Sequence, residues 1–129
     1  MNYDDLTANV RARLGLSSQD EADAVTRSVL VALGARLTKE EGTDLAAQFP
    51  DEVGDRVRTA AGTENYGIDG FLDRVRESLD LGDPDQASHH ARAVLAEVNE
   101  LVTAGEMEDV FAQLPDEFSD LFMSSTGGG

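Results

Sequence analysis

Apolar side chains recur every three or four residues along most of the chain. Leu6, Val10 and Leu14 stand four apart, and so do Phe71, Val75 and Leu79. Each trio is the single apolar stripe of a short amphipathic helix. Gly15 followed by Ser17 and Ser18 ends the first of these helices, and Gly82-Asp83-Pro84 ends the second. Longer stripes follow, Ala22, Val25, Val29, Leu33 and Leu37 in one place and Ala87, Ala91, Val94, Val98 and Val102 in the other. They predict a pair of longer helices starting near Asp20 and Pro84, with acidic residues in the first turn, where the helix dipole favours them.

The sharpest local signals come next. Thr38-Lys39-Glu40-Glu41 and Thr103-Ala104-Gly105-Glu106 both read as capping boxes, with threonine as N-cap and glutamate three residues on. Leu37 and Val102 are placed to act as hydrophobic staples. The helices so started carry Leu45 and Phe49 in one case and Met107, Val110, Phe111 and Leu114 in the other. Pro50 and Pro115 stop them, because proline disfavours a helical residue before it. The same prolines suit the first turn of a further short helix, with Val53 and Val57, or Phe118, Leu121 and Phe122, facing inward.

These parallels are one repeat. Shifted by 65 residues, positions 6–57 align with 71–122 without a gap and give 18 identities in 52 pairs. The expected architecture is all-α, with about eight helices in two homologous four-helix halves packed as one bundle-like domain. That domain spans residues 1–123, with repeats at 5–57 and 70–122, a connection at 58–69 and a flexible tail at 124–129. A half of 53 residues is marginal for folding alone, so a shared core is expected. Tyr66 and Ile68 of the connection are expected to tuck against it.

The segments Ala46-Ala47-Gln48-Phe49-Pro50-Asp51-Glu52-Val53 and Val110-Phe111-Ala112-Gln113-Leu114-Pro115-Asp116-Glu117-Phe118 carry a resemblance to a known family. With Arg27-Ser28-Val29-Leu30, Arg92-Ala93-Val94-Leu95 and the Thr-x-x-Glu starts, the chain resembles the domain of unknown function 2267 family of small helical prokaryotic proteins. The resemblance covers about Asp4 to Phe122. It implies a helical fold and supplies no catalytic residues. Members of that family often carry a longer, aromatic-rich connection between halves, which is short here.

Composition changes the picture in one respect. Of 129 residues, 40% are hydrophobic, enough for a core, but 26 Asp and Glu face 10 Lys and Arg, for a formal charge of −16. Lysine occurs once, at Lys39, against nine arginines. Such a chain repels itself at low ionic strength and is screened at molar salt, which points to a salt-rich cytosol. The absence of cysteine excludes disulfides, thiolate metal sites and thiol nucleophiles. The longest apolar run, Val29–Leu33, is too short for a membrane span, and the acidic start lacks the basic character of a secretory signal. A cytoplasmic protein is expected, with no membrane partner and an electrostatic bias against nucleic acid.

Candidate chemistry is sparse. Arg27 and Arg92, Asp44 and Asp109, and Gln48 and Gln113 are identical pairs across the repeat. They read as a structural polar network in which each arginine bridges the long helix to the third-helix region. His89 and His90 are adjacent and point about 100° apart on a helix, so they do not chelate one ion. No carboxylate pair has a diagnostic spacing, and no cofactor or metal is expected. Phe111 and Met123 replace Ala46 and Arg58 of the first copy and form a candidate apolar patch for a protein partner or self-association. The leading functional expectation is a non-enzymatic interaction or scaffold module. Its rival is a ligand-binding or enzymatic protein using a polar cleft between the halves.

If the charge is an adaptation to salt, the melting midpoint rises steeply between about 0.1 M and about 2 M potassium chloride, as the screening length falls from about 10 Å to below about 3 Å. Equal midpoints in calorimetric scans at the two concentrations would overturn that reading.

Overall fold

The computed structural model describes residues 1–123; the flexible tail expected at 124–129 lies outside the described residues. The helices are α1 (Tyr3–Leu14), α2 (Gln19–Arg36), α3 (Lys39–Ala46), α4 (Asp51–Ala60), α5 (Ile68–Ser78), α6 (Pro84–Leu101), α7 (Ala104–Gln113) and α8 (Ser119–Phe122). A 3₁₀ turn, Asp116–Phe118, leads into α8. There is no strand among the described residues, and the all-α expectation holds.

Local chemistry explains most boundaries. Asn2, Ser18, Thr38, Asp83 and Thr103 each accept a backbone N–H of their helix's first turn, the usual work of an N-cap. Pro84 opens α6 at a position that needs no N–H. Gly15 closes α1 in the left-handed region at φ 65°. The corresponding stop of α5 differs from expectation. It lies at Asp80, which adopts φ 54°, and not at Gly82-Asp83-Pro84. Leu81 N–H reaches the Arg76 carbonyl at 2.9 Å, as Leu16 N–H reaches the Arg11 carbonyl at 3.0 Å. Aspartate is among the residues that enter this region most readily. The fourth helix of the second segment is also shorter than expected, reduced to the 3₁₀ turn and the four residues of α8.

The 18-residue helices α2 and α6 touch each other, and α1 and α5 each pack against both. The core is one cluster that includes Leu6, Val10, Val29, Leu30, Phe71, Val75, Val94 and Leu95. Phe71 meets Phe118 edge-on with ring centroids 5.4 Å apart. Around this centre, α3 and α4 pack together, α4 lies on α2, α8 lies on α6, and α3 meets α7. The connection is strapped to α2. Tyr66 OH donates to the Ala32 carbonyl at 2.6 Å, Arg36 Nε donates to the Tyr66 carbonyl at 2.8 Å, and Tyr66 and Ile68 are half-buried against the core.

Backbones approach unusually closely among α2, α3 and α4. A Cβ on Gly42 would lie 2.4 Å from the Ala61 Cβ, one on Gly54 would lie 2.7 Å from the Ala46 carbonyl oxygen, and one on Gly34 would lie 2.8 Å from Val57. Sixty-five residues on stand Met107, Ser119 and Asn99, and there Met107, Phe118 and Phe122 supply buried bulk.

Gly42→Ala and Gly54→Ala are each expected to lower stability by about 1–3 kcal/mol, the usual cost of overpacking. Gly105→Ala, whose Cβ would meet nothing within 4 Å, is expected to leave stability unchanged or raise it by up to about 1 kcal/mol. Urea denaturation followed by circular dichroism measures all three, and a neutral Gly54→Ala would contradict the backbone-contact account.

Candidate functional site

An open-sided groove of about 590 Å³ lies between α2, α4 and α5. Asp23, Arg27 and Ser28 reach it from α2, Glu52 and Arg56 from α4, and Arg74 and Ser78 from α5. Arg27 Nε donates to Asp23 Oδ2 at 2.8 Å and its Nη1 to Glu52 Oε1 at 3.0 Å, fixing the guanidinium between two helices. Asp23 also accepts from Tyr3 OH at 2.7 Å. Burial first, and that hydrogen bond second, push the Tyr3 hydroxyl well above its ordinary pKa. Arg74 is bonded to Glu64 and lies 5.8 Å from the centre of the Tyr66 ring, a cation–π contact. Burial raises the Tyr66 hydroxyl to about 12, so it stays a neutral donor. The Ser28 and Ser78 hydroxyls bond each other across the α2–α5 contact. Arg56 makes no ion pair among the described residues. Three of the ten basic residues of a −16 chain thus line one groove.

The positions 65 residues away behave differently. Glu97, at the place of Ala32, is 3% exposed and accepts from Asn9 Nδ2 and Arg13 Nε, both at 2.8 Å. Leu121, at the place of Arg56, is buried. An ion-paired glutamate and a buried apolar side chain occupy the positions where the first segment has the buried Ala32 and has Arg56, which makes no ion pair among the described residues.

The residues expected to form the polar network are placed as follows. Arg27 pairs with Asp23 and Glu52, and Arg92 pairs with Asp120 at 2.6 Å. The arginines therefore tie α2 to α4 and α6 to α8, and neither meets Asp44 or Asp109, because α3 and α7 turn towards each other. Gln113 bridges to the start of α3, accepting from Thr38 N–H at 3.0 Å and donating to Thr38 Oγ1 at 3.1 Å. Gln48 is half-buried. Of the apolar patch, Phe111 is half-buried with its ring 4.9 Å from that of Phe122, and Met123 is 66% exposed. His90 Nδ1 bonds the Gln86 carbonyl of its own helix at 2.8 Å.

The capping glutamates do something the sequence reading missed. Thr38 and Thr103 hydroxyls cap as expected, accepting from the N–H groups of Glu41 and Glu106. The glutamate side chains do not fold back to complete the boxes. They converge between α3 and α7 with Asp109, one oxygen of each residue lying within 4.8 Å of the others. Glu41 is 7% exposed, and both Glu41 Oε2 and Glu106 Oε2 are enclosed without a hydrogen-bond partner. Loss of water first, then the Glu106 carboxyl, Asp109 and Asp44 push Glu41 up to about 8. The available signal was the identity of glutamate and aspartate at both copies of the Thr-x-x-Glu-x-x-Asp pattern.

The Glu41 shift has a definite sign. The folded chain holds a proton that the unfolded chain releases near 4.5, so stability contributed by this group is complete below that pH and is lost as pH rises towards about 8. In chelator-treated buffer, Glu41→Gln is expected to flatten that slope and to stabilise the protein at pH about 9 by about 1–3 kcal/mol, the cost of an unpaired buried acceptor. Urea midpoints across pH 4–9 read both effects, and an unchanged slope in the variant would refute the assignment.

A family model described as "Uncharacterized conserved protein (DUF2267)" matches residues 3–121. The search of curated proteins returned no match. The chain belongs to the DUF2267 family.

Proposed function

We propose that this DUF2267 member is a non-enzymatic binding module of a salt-rich cytosol that takes a small anion, a carboxylate or phosphate ester, in the groove between α2, α4 and α5. The observation that carries the reading is the arginine content of that groove. Arg27 is held rigidly by Asp23 and Glu52, Arg74 is held by Glu64 and the Tyr66 ring, and Arg56 stands without an ion-pair partner among the described residues. Fixed, forked donors with little rotational freedom left to lose are what recognise carboxylate and phosphate oxygens. Ser28 and Ser78 add hydroxyls between them. The volume falls within the usual range for small-molecule sites. Elsewhere the surface is dominated by carboxylates, which repel the same ligand and leave this groove as the favourable address.

A protein partner is the second reading, and Met123 with the half-buried Phe111 is its footing. Met1 and Met123 are the exposed large hydrophobics among the described residues, so such an interface would draw most of its area from polar groups around them.

Titration of the labelled protein with organic phosphates and dicarboxylates, followed by NMR at molar potassium chloride, is expected to shift the amides around Arg27, Ser28, Arg56, Arg74 and Ser78. Arg56→Ala and Arg74→Ala are each expected to weaken binding by about 10-fold or more, since a hydrogen bond to a charged group is worth about 1.5–3 kcal/mol. Shifts scattered over the surface, or affinities unchanged in both variants, would refute the anion site.

A further inference from the structure

The geometry points to a hard divalent-cation site between the N-terminal halves of α3 and α7, with Glu41, Glu106 and Asp109 as its protein ligands. One carboxylate oxygen from each of the three lies within 4.8 Å of the other two. Oxygen donors alone, without imidazole or thiolate, select hard cations of this class over zinc or copper.

Acidic residues crowd the surface of this chain, and the burial of Glu41 sets this cluster apart. A surface carboxylate turns to water. Glu41 is 7% exposed, and its Oε2 is enclosed without any hydrogen-bond donor, as is Glu106 Oε2. Three backbone donors at these helix starts are already taken. Thr38 Oγ1 receives the Glu41 N–H and Thr103 Oγ1 receives the Glu106 N–H, while the Thr38 N–H is bonded to Gln113. Two enclosed, unpartnered carboxylate oxygens on residues that converge in one cluster require a positive charge or protons. Asp109 is exposed, which leaves an outer side through which the ion enters and keeps its water ligands. Asp44 adds another negative charge to the field at Glu41. Bound there, the ion would clamp α3 to α7 and so join the two segments at a contact otherwise held by the Gln113–Thr38 hydrogen bonds.

Calorimetric titration of the chelator-treated full chain with calcium chloride at pH 7.5 and molar potassium chloride tests the site, with melting curves beside it. High salt suppresses diffuse attraction to the acidic surface. The expected result is one saturable site and a melting midpoint that rises with calcium. Asp109→Asn, at an exposed position that the fold does not need, is expected to weaken calcium binding by at least about tenfold, the effect of losing even an outer partner of a metal site. Glu41→Gln is expected to abolish it. Absence of saturable binding at millimolar calcium would overturn the proposal and assign the buried pair to shared protons. Equal affinity in the wild type and in both variants would overturn it as well.

Discussion

A core with five phenylalanines and no tryptophan leaves little side-chain volume to hold helices apart, and close approach of backbones is the constraint on which the rest depends. Ala22, Ala32, Gly34 and Ala35 of α2 and Ala87, Ala91, Ala93 and Ala96 of α6 are all buried. Dispersion contacts are individually small and are lost quickly across a gap, so small residues stabilise only if the chains that carry them come together. In the first segment that closeness extends outward through Gly34, Gly42 and Gly54. In the second it is replaced by bulk from Met107, Phe118 and Phe122. The surplus of large apolar residues late in the chain is therefore, to a large extent, core filling, which leaves Met123 as the exposed remnant.

Polar arrangement follows from the same closeness. With α4 held against α2, Glu52 reaches Arg27, and with α8 held against α6, Asp120 reaches Arg92. Three of the nine arginines, Arg13, Arg27 and Arg92, cross-link helices through carboxylates. The groove is where this economy leaves guanidinium groups facing space. Where Leu121 and the Glu97–Arg13 pair stand, the positions 65 residues away around the groove are Arg56, Ala32 and Ser78.

Local signals in the chain were legible and long-range ones were not. Stripes at helical spacing and threonine or serine caps depend on residues within a few positions of one another, and they placed α1 to α7 within a few residues of their observed ends. Asp80 was missed because Gly82 and Pro84, two and four residues on, offered a louder stop, although its offset from Gly15 was already visible. The failure at Glu41 and Glu106 is more instructive. A glutamate three residues after a threonine cap has a strong local explanation, and nothing within one segment reveals that α3 and α7 will face each other. Arg27 and Arg92 were expected to reach the third-helix region, a partnership assigned by adjacency on paper. The true partners come from helices whose placement depends on packing.

Identity and difference between positions 65 apart can now be weighed against geometry. Residues alike in both segments fall at contacts each segment makes: the caps at Thr38 and Thr103, the ties at Arg27 and Arg92, and the facing carboxylates Glu41 and Glu106. The last pair stands apart, because two identical acids that meet each other, with Glu41 buried, gain nothing from one another while both are charged. Caps and ties stabilise each segment by themselves, whereas this pair acquires a favourable role only through a proton or a cation held in common. Residues that differ, Arg56 against Leu121 and Ala32 against Glu97, open the groove on one side and occupy it on the other. A chain under pressure only to fold would have little reason to keep the acids alike or the grooves unlike, and this is why both features are read as binding sites.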